Sequence, residues 1–158
     1  MSLLVAAIAA MVLSAGYARA EGGPILIRDL SVSPPIETLV SAEQIAALET
    51  QTIVTRTEFT DGEPRFDGPL MTDVLKLAGN RGWTTARMIA ANDYSIEIPV
   101  SDFISYGVIV AHSMNGKRLS RRDKGPYWLM YPLDRFAELR DPVYNNRLIW
   151  QLVTIELR

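Results

Sequence analysis

Apolar and polar positions alternate or recur at helical spacing through most of the chain, and the two periods divide it into short elements. An unbroken apolar and small-residue run, Leu3 to Leu13, comes first, and Ala18-Arg19-Ala20 follows it with small side chains at the two positions a signal peptidase reads before Glu21. A run of about eleven residues is too short to cross a bilayer of roughly 30 Å. The pattern therefore predicts a cleaved secretory signal peptide over residues 1–20 and a single working domain over 21–158, which is exported from the cytoplasm.

Beyond it, Ile25 to Arg28 predicts a short strand, followed by a proline-rich connector through Pro34-Pro35. Ser41 and Gln44 have the spacing of a capping box, with Ile45 and Leu48 on the following face, and predict a helix over 42–49. Gln51 to Phe59 alternates and is rich in Thr, Val and Ile, as a strand should be. Pro69 to Ala78 carries Leu70, Val74, Leu75 and Leu77 at helical spacing, with Gly79 placed for a left-handed cap. Strands are predicted over 85–91 and 95–100, joined by the corner Asn92-Asp93-Tyr94. Another is predicted over 108–114, ending at the hairpin signal Asn115-Gly116. Tyr127 to Tyr131 and Leu148 to Leu157 complete the strands, with a helical turn between Asp134 and Arg140. Many strands broken by short helices predict an α+β domain built on a mixed, mainly antiparallel sheet.

Composition narrows the chemistry. The chain has 158 residues, no cysteine, one histidine and a net charge of −2, and loss of Arg19 with the leader makes the remainder more negative still. Nothing global points to nucleic acid. The fold is held without disulfides, and activities that need a thiolate as nucleophile or metal ligand are excluded. His112, alone in its predicted strand, is a packing or surface residue, and with neither a second histidine nor a cysteine no zinc cluster or Ser-His-Asp hydrolase is expected. No metal site is predicted.

Two stretches are candidates for binding. Lys117 to Pro126 holds five cations and one anion in an otherwise acidic protein, and reads either as a solvated loop or as an anion-binding surface closed by Gly125-Pro126. Asn92-Asp93-Tyr94 is either a plain turn capped by its own side chains or a corner that recognises a flat heterocycle.

Taken in order, Phe66-Asp67-Gly68-Pro69-Leu70, Asp73-Val74-Leu75, Asn92-Asp93-Tyr94, Ile98-Pro99, Asn115-Gly116-Lys117, Arg122-Asp123-Lys124-Gly125-Pro126, Trp128, Tyr131-Pro132 and Ile149-Trp150-Gln151-Leu152 resemble a known pattern. From about residue 57 to the C-terminus the chain resembles the sulfite-oxidase-like molybdopterin-binding domain, and most closely its small periplasmic, cysteine-lacking, pterin-binding members. The resemblance implies a sulfite-oxidase-like α+β fold and a pterin or molybdopterin ligand. In the larger members a cysteine holds molybdenum, and here none exists. It also implies a site formed by Asn92, Asp93, Tyr94, Arg122, Lys124, Gly125, Pro126, Tyr127 and Arg147. Asp93 is expected at the pyrimidine edge, Arg122 and Lys124 at carbonyl or phosphate oxygens, and Arg147 as a further cation. Tyr127 and Trp128 alternate, so one of them is expected to reach the pocket and the other to pack inside. The function implied is a non-catalytic pterin-binding module that reports its ligand to a membrane sensor or cyclic-dinucleotide signalling protein. The alternative is a molybdopterin-dependent oxidoreductase or a subunit of one.

Overall fold

The computed structural model describes residues 22–158; the expected signal peptide at residues 1–20 lies outside the described residues. The first strand, β1 (Ile25–Asp29), alternates as predicted, burying Ile25, Ile27 and Asp29. It pairs antiparallel with β2 (Ile36–Val40), an element the sequence reading missed behind Pro34-Pro35. On its other side β1 runs parallel to the C-terminal strand β11 (Leu152–Leu157), which pairs antiparallel with β5 (Thr85–Ala90); β5 in turn pairs with β6 (Ser95–Pro99). The five-stranded order is β2-β1-β11-β5-β6, a mixed sheet with one parallel pair. This is the expected α+β class.

A second sheet, β3-β4-β8-β9, is formed by Thr50–Val54, Arg65–Pro69, Ser113–Met114 and Lys117–Arg118. The predicted strand over 108–114 is split at His112: β7 (Ile109–Ala111) pairs with β10 (Trp128–Met130), whereas β8 pairs with β4. Asn115 and Gly116 sit at φ 50° and 77°, the two left-handed residues that a two-residue hairpin with native twist needs.

The capping box is present. Ser41 Oγ accepts from the Gln44 N–H and Gln44 Oε1 accepts from the Ser41 N–H, opening α1 (Ala42–Ala46). The helix ends earlier than predicted because β3 takes the chain from Thr50. Likewise α2 (Met71–Lys76) starts after Pro69-Leu70, since Leu70 is extended and bridges Ile109. Helix α3 (Val100–Tyr106) was missed, although Gly107 at φ 63° closes it with a left-handed cap. The predicted turn near 134–140 is a 3₁₀ turn at Ala137–Arg140, followed by α4 (Val143–Asn146).

Between the layers lies one core in which Trp128, Tyr131, Phe66 and Phe103 are fully buried. Phe66 and Trp128 meet edge to face at 5.4 Å, and the Trp128 indole N–H donates to the Leu148 carbonyl at 2.9 Å. These contacts tie the segment before β11 to β10 and set the position of Trp150.

Candidate functional site

The strand predicted over 148–157 begins only at Leu152, because Gln151 adopts φ 52° and turns the chain before β11 starts. That break lets Trp150 leave the core line. Its ring meets Phe59 edge to face at 5.0 Å and Trp128 at 6.2 Å. Strained non-glycine residues gather at functional sites, and Asp93, at φ 67°, is a second one close by in the β5–β6 corner. There Asn92 Oδ1 accepts from the Tyr94 N–H at 3.1 Å, and the Asp93 N–H returns to the Ala90 carbonyl at 3.0 Å. The plain-turn reading of this corner is therefore correct for its backbone, and the turn aims Asn92 and Tyr94 towards Trp150.

Together these residues enclose a cleft of about 270 Å³ lined by Phe59, Ala90, Asn92, Tyr94, Asn145, Asn146, Leu148 and Trp150. Two aromatic rings and Leu148 supply flat apolar walls, and three carboxamides and a phenol supply polar groups. The Tyr94 hydroxyl donates to the Asn146 carbonyl at 3.2 Å, joining the corner to α4. Asn145 Oδ1 is buried and accepts no hydrogen bond. A buried acceptor without a donor costs roughly 1–3 kcal/mol, so Asn145, on the cleft wall, is one donor short.

The basic loop folds back on itself. Ser120 Oγ donates to Asp123 Oδ2 at 2.7 Å, and the Gly125 N–H donates to the Ser120 carbonyl at 2.8 Å. Gly125 passes so close to Leu119 that a Cβ there would lie 2.1 Å from the Leu119 carbonyl oxygen. The loop thereby places the Lys124 ammonium 5.3 Å from the Trp128 ring centroid and 5.8 Å from that of Trp150. Among the described residues no carboxylate forms an ion pair with Lys124. Beside it a second cleft of about 370 Å³ is walled by Gly23, Pro24, Arg121, Gly125, Pro126 and Gln151, among others.

The structure thus brings Asn92, Tyr94 and Lys124 together around Trp150, with Gly125 and Pro126 in the neighbouring cleft. Other candidate residues stand elsewhere. Asp93 occupies the outer corner of the turn and Arg122 is exposed on the loop; neither lines the aromatic cleft. Tyr127 and Trp128 are both buried, because the Tyr127 phenol turns in towards Gly22 instead of out to a pocket. Burial pushes the Tyr127 phenol up to about 12, with Arg118 pulling the other way and Glu43 adding to the rise. Arg147 pairs with Asp102 inside the protein. Sequence reasoning missed Asn145, Asn146 and Phe59, which no local motif marks.

As to the implied cofactor, the unmatched Asn145 acceptor suits a heterocycle whose edge carries N–H donors, and the flat apolar walls suit its faces. A protein thiolate for molybdenum does not exist in this sequence, so the metal half of a molybdenum cofactor has no cysteine ligand here.

Residues 33–135 match the family described as the oxidoreductase molybdopterin binding domain. Among solved structures, the fold is similar to the sulfane dehydrogenase SoxCD from Paracoccus pantotrophus, at TM-score 0.61 and 16% identity, over 85% of this chain and 38% of that one. The chain therefore spans well under half the length of that structure. No curated protein matches the chain.

Proposed function

Since this chain belongs to the oxidoreductase molybdopterin-binding domain family, we propose that it is an exported pterin-binding module that reports ligand occupancy to a membrane signalling partner and is not itself a catalyst. The observation that carries the binding half is Asn145, whose Oδ1 is buried and undonated, on the wall of a cleft it shares with Trp150, Phe59 and Leu148. A pterin presents ring N–H and amino donors at its pyrimidine edge, which meet that acceptor. Asn92 lines the same cleft, and with its Oδ1 engaged by the Tyr94 N–H its carboxamide NH2 is left as a donor for the ring carbonyl. Trp150 and Leu148 cover the faces, and the Lys124 ammonium above the Trp150 indole attracts negative charge on the ligand.

A reduced pterin supplies two-electron reducing chemistry when bound. The protein around the cleft offers positioning groups, and the missing cysteine removes the thiolate that holds molybdenum in the family's larger members. Export rests on the apolar leader and on Ala18-Arg19-Ala20. The signalling role rests on the resemblance to small cysteine-lacking members.

Titration of purified protein with reduced and oxidised pterins, followed by quenching of tryptophan emission, should give saturable binding in the micromolar range or tighter. Metal analysis after expression in a cofactor-competent host separates the two readings of the site. Molybdenum at one per chain would support an oxidoreductase and overturn the non-catalytic module.

A further inference from the structure

We infer that the buried Arg147–Asp102 ion pair is a positioning device for the cleft, fixing the short α4 segment that presents Asn145 without itself touching the ligand. The inference rests on the pterin reading for its functional meaning, but its geometry stands apart from it.

Helix α4 has four residues, and its one side-chain cap among the described residues is the exposed Asp141 carboxylate, which accepts from the Val143 N–H at 2.9 Å, so it cannot hold its own conformation. Yet it supplies Asn145 and Asn146 to one cleft wall, and Leu148 follows directly. Its place must be set from outside. Three contacts do this. On the solvent side the Tyr94 hydroxyl holds the Asn146 carbonyl. Beneath, the Tyr144 ring packs 5.7 Å from Tyr131 and 6.0 Å from Tyr106, with the Arg147 guanidinium 4.7 Å from its centroid. Arg147, the C-terminal cap residue of α4, then forms a short ion pair with Asp102 of α3.

The third contact is unlike the other ion pairs of the described residues, most of which leave at least one partner well exposed. Here the Arg147 and Asp102 side chains are only 17% and 12% exposed. Asp102 is doubly satisfied, since the buried Tyr131 hydroxyl also donates to it at 2.9 Å. Burial opposes the guanidinium charge, but Asp102 outweighs it and holds Arg147 firmly protonated. A buried pair of this kind contributes little net stability and much geometry, because removing one partner strands the other charge. It links α3, at the far end of β6, to the residue directly after the two cleft asparagines. The cation expected at the ligand is thus spent on the wall that holds the ligand's acceptor.

The test uses Arg147→Met, Arg147→Lys and Asp102→Asn in the full chain, with two readouts. Hydrogen exchange in the ligand-free protein should speed up at the amides of residues 144–148 in Arg147→Met while the β1, β5 and β11 amides keep their protection. Arg147→Lys should restore part of the protection. Pterin affinity should fall about tenfold in Arg147→Met, and adding Asn145→Ala should cost little more, because coupled residues are not additive. Unchanged exchange at 144–148, or fully additive losses with Asn145→Ala, would overturn the inference. Should Arg147→Met not fold, Arg147→Lys carries the same comparison: exchange at 144–148 in Arg147→Lys closer to wild type than in Asp102→Asn supports the charge pair, and wild-type exchange in Asp102→Asn, or exchange in Arg147→Lys as fast as in Asp102→Asn, overturns it. If the wild type binds no pterin, the functional reading fails while the exchange experiment still decides whether the pair positions α4.

Discussion

Tyr94 and Asn146 meet across the mouth of the cleft, phenolic O–H to backbone carbonyl, at 3.2 Å. Tyr94 is 47% exposed, so this bond is a half-solvated strap between the β5–β6 corner and α4. Tyr94→Phe keeps the ring and removes the strap. A neutral hydrogen bond of this kind contributes about 1 kcal/mol. Stopped-flow mixing with a pterin should show faster dissociation by a few-fold, with the fold unchanged and the loss of stability in urea no larger than about 1 kcal/mol.

Lys124 stands over two indoles with no carboxylate partner among the described residues. Lys124→Met preserves the packing of the stem and removes the charge. Affinity should fall for ligands with an acidic or phosphorylated side chain and hold for neutral pterins, and the salt dependence of the acidic ligand's affinity should flatten. Equal losses for both ligands would show that Lys124 only packs.

Gly125 cannot accept a side chain without moving Leu119, since a Cβ would lie 2.1 Å from a backbone oxygen. Gly125→Ala should destabilise the protein by about 2 kcal/mol in urea denaturation and displace Lys124. Gly62 has open space but φ 65°, so Gly62→Ala should cost only the backbone strain of about 1 kcal/mol and leave ligand binding intact.

His112 lies where the chain passes from β7 to β8, with Nδ1 buried and without a partner. Burial holds its imidazole below the usual histidine range, Arg118 adds to this, and Asp67 opposes it. The folded state therefore favours the neutral ring, and the unfolded chain takes up the proton first on acidification. The stability this contributes is present above about pH 6.5 and is lost as pH falls below it. Urea midpoints measured from pH 7.5 down to 5.5 should decline more steeply in the wild type than in His112→Asn.

What the sequence made legible depended on locality. Ser41 and Gln44, the Asn115-Gly116 hairpin and the Asn92 turn each satisfy themselves within a few residues, and each was read correctly. Strand β2 was hidden because Ile36–Val40 is an exposed edge whose partner, β1, alone makes it a strand. Helix α3 was hidden behind a strand-like opening at Ser95–Pro99. The site followed the same rule. Asn92 and Tyr94 came with their turn, whereas Asn145 is brought to the cleft by contacts distant in sequence, among them Arg147 with Asp102, forty-five residues earlier and on another helix. Arg147 looked like a free cation for the ligand, because nothing local shows that its charge is already used inside the fold. Gln151 interrupts the predicted last strand, and that left-handed turn, invisible in an apolar run, is what swings Trp150 to the cleft.

The central claim is that the Trp150–Asn145 cleft takes the edge and face of a pterin, and calorimetric titration of one reduced pterin into wild type and Asn145→Leu tests it most directly. The side chains are similar in size, and the variant removes the carboxamide, its Oδ1 acceptor together with its NH2 donor. Saturable one-to-one binding by the wild type, weakened at least tenfold in Asn145→Leu (about 1.4 kcal/mol), is the expected result. No heat of binding in the wild type, or equal affinity in the two proteins, would contradict it.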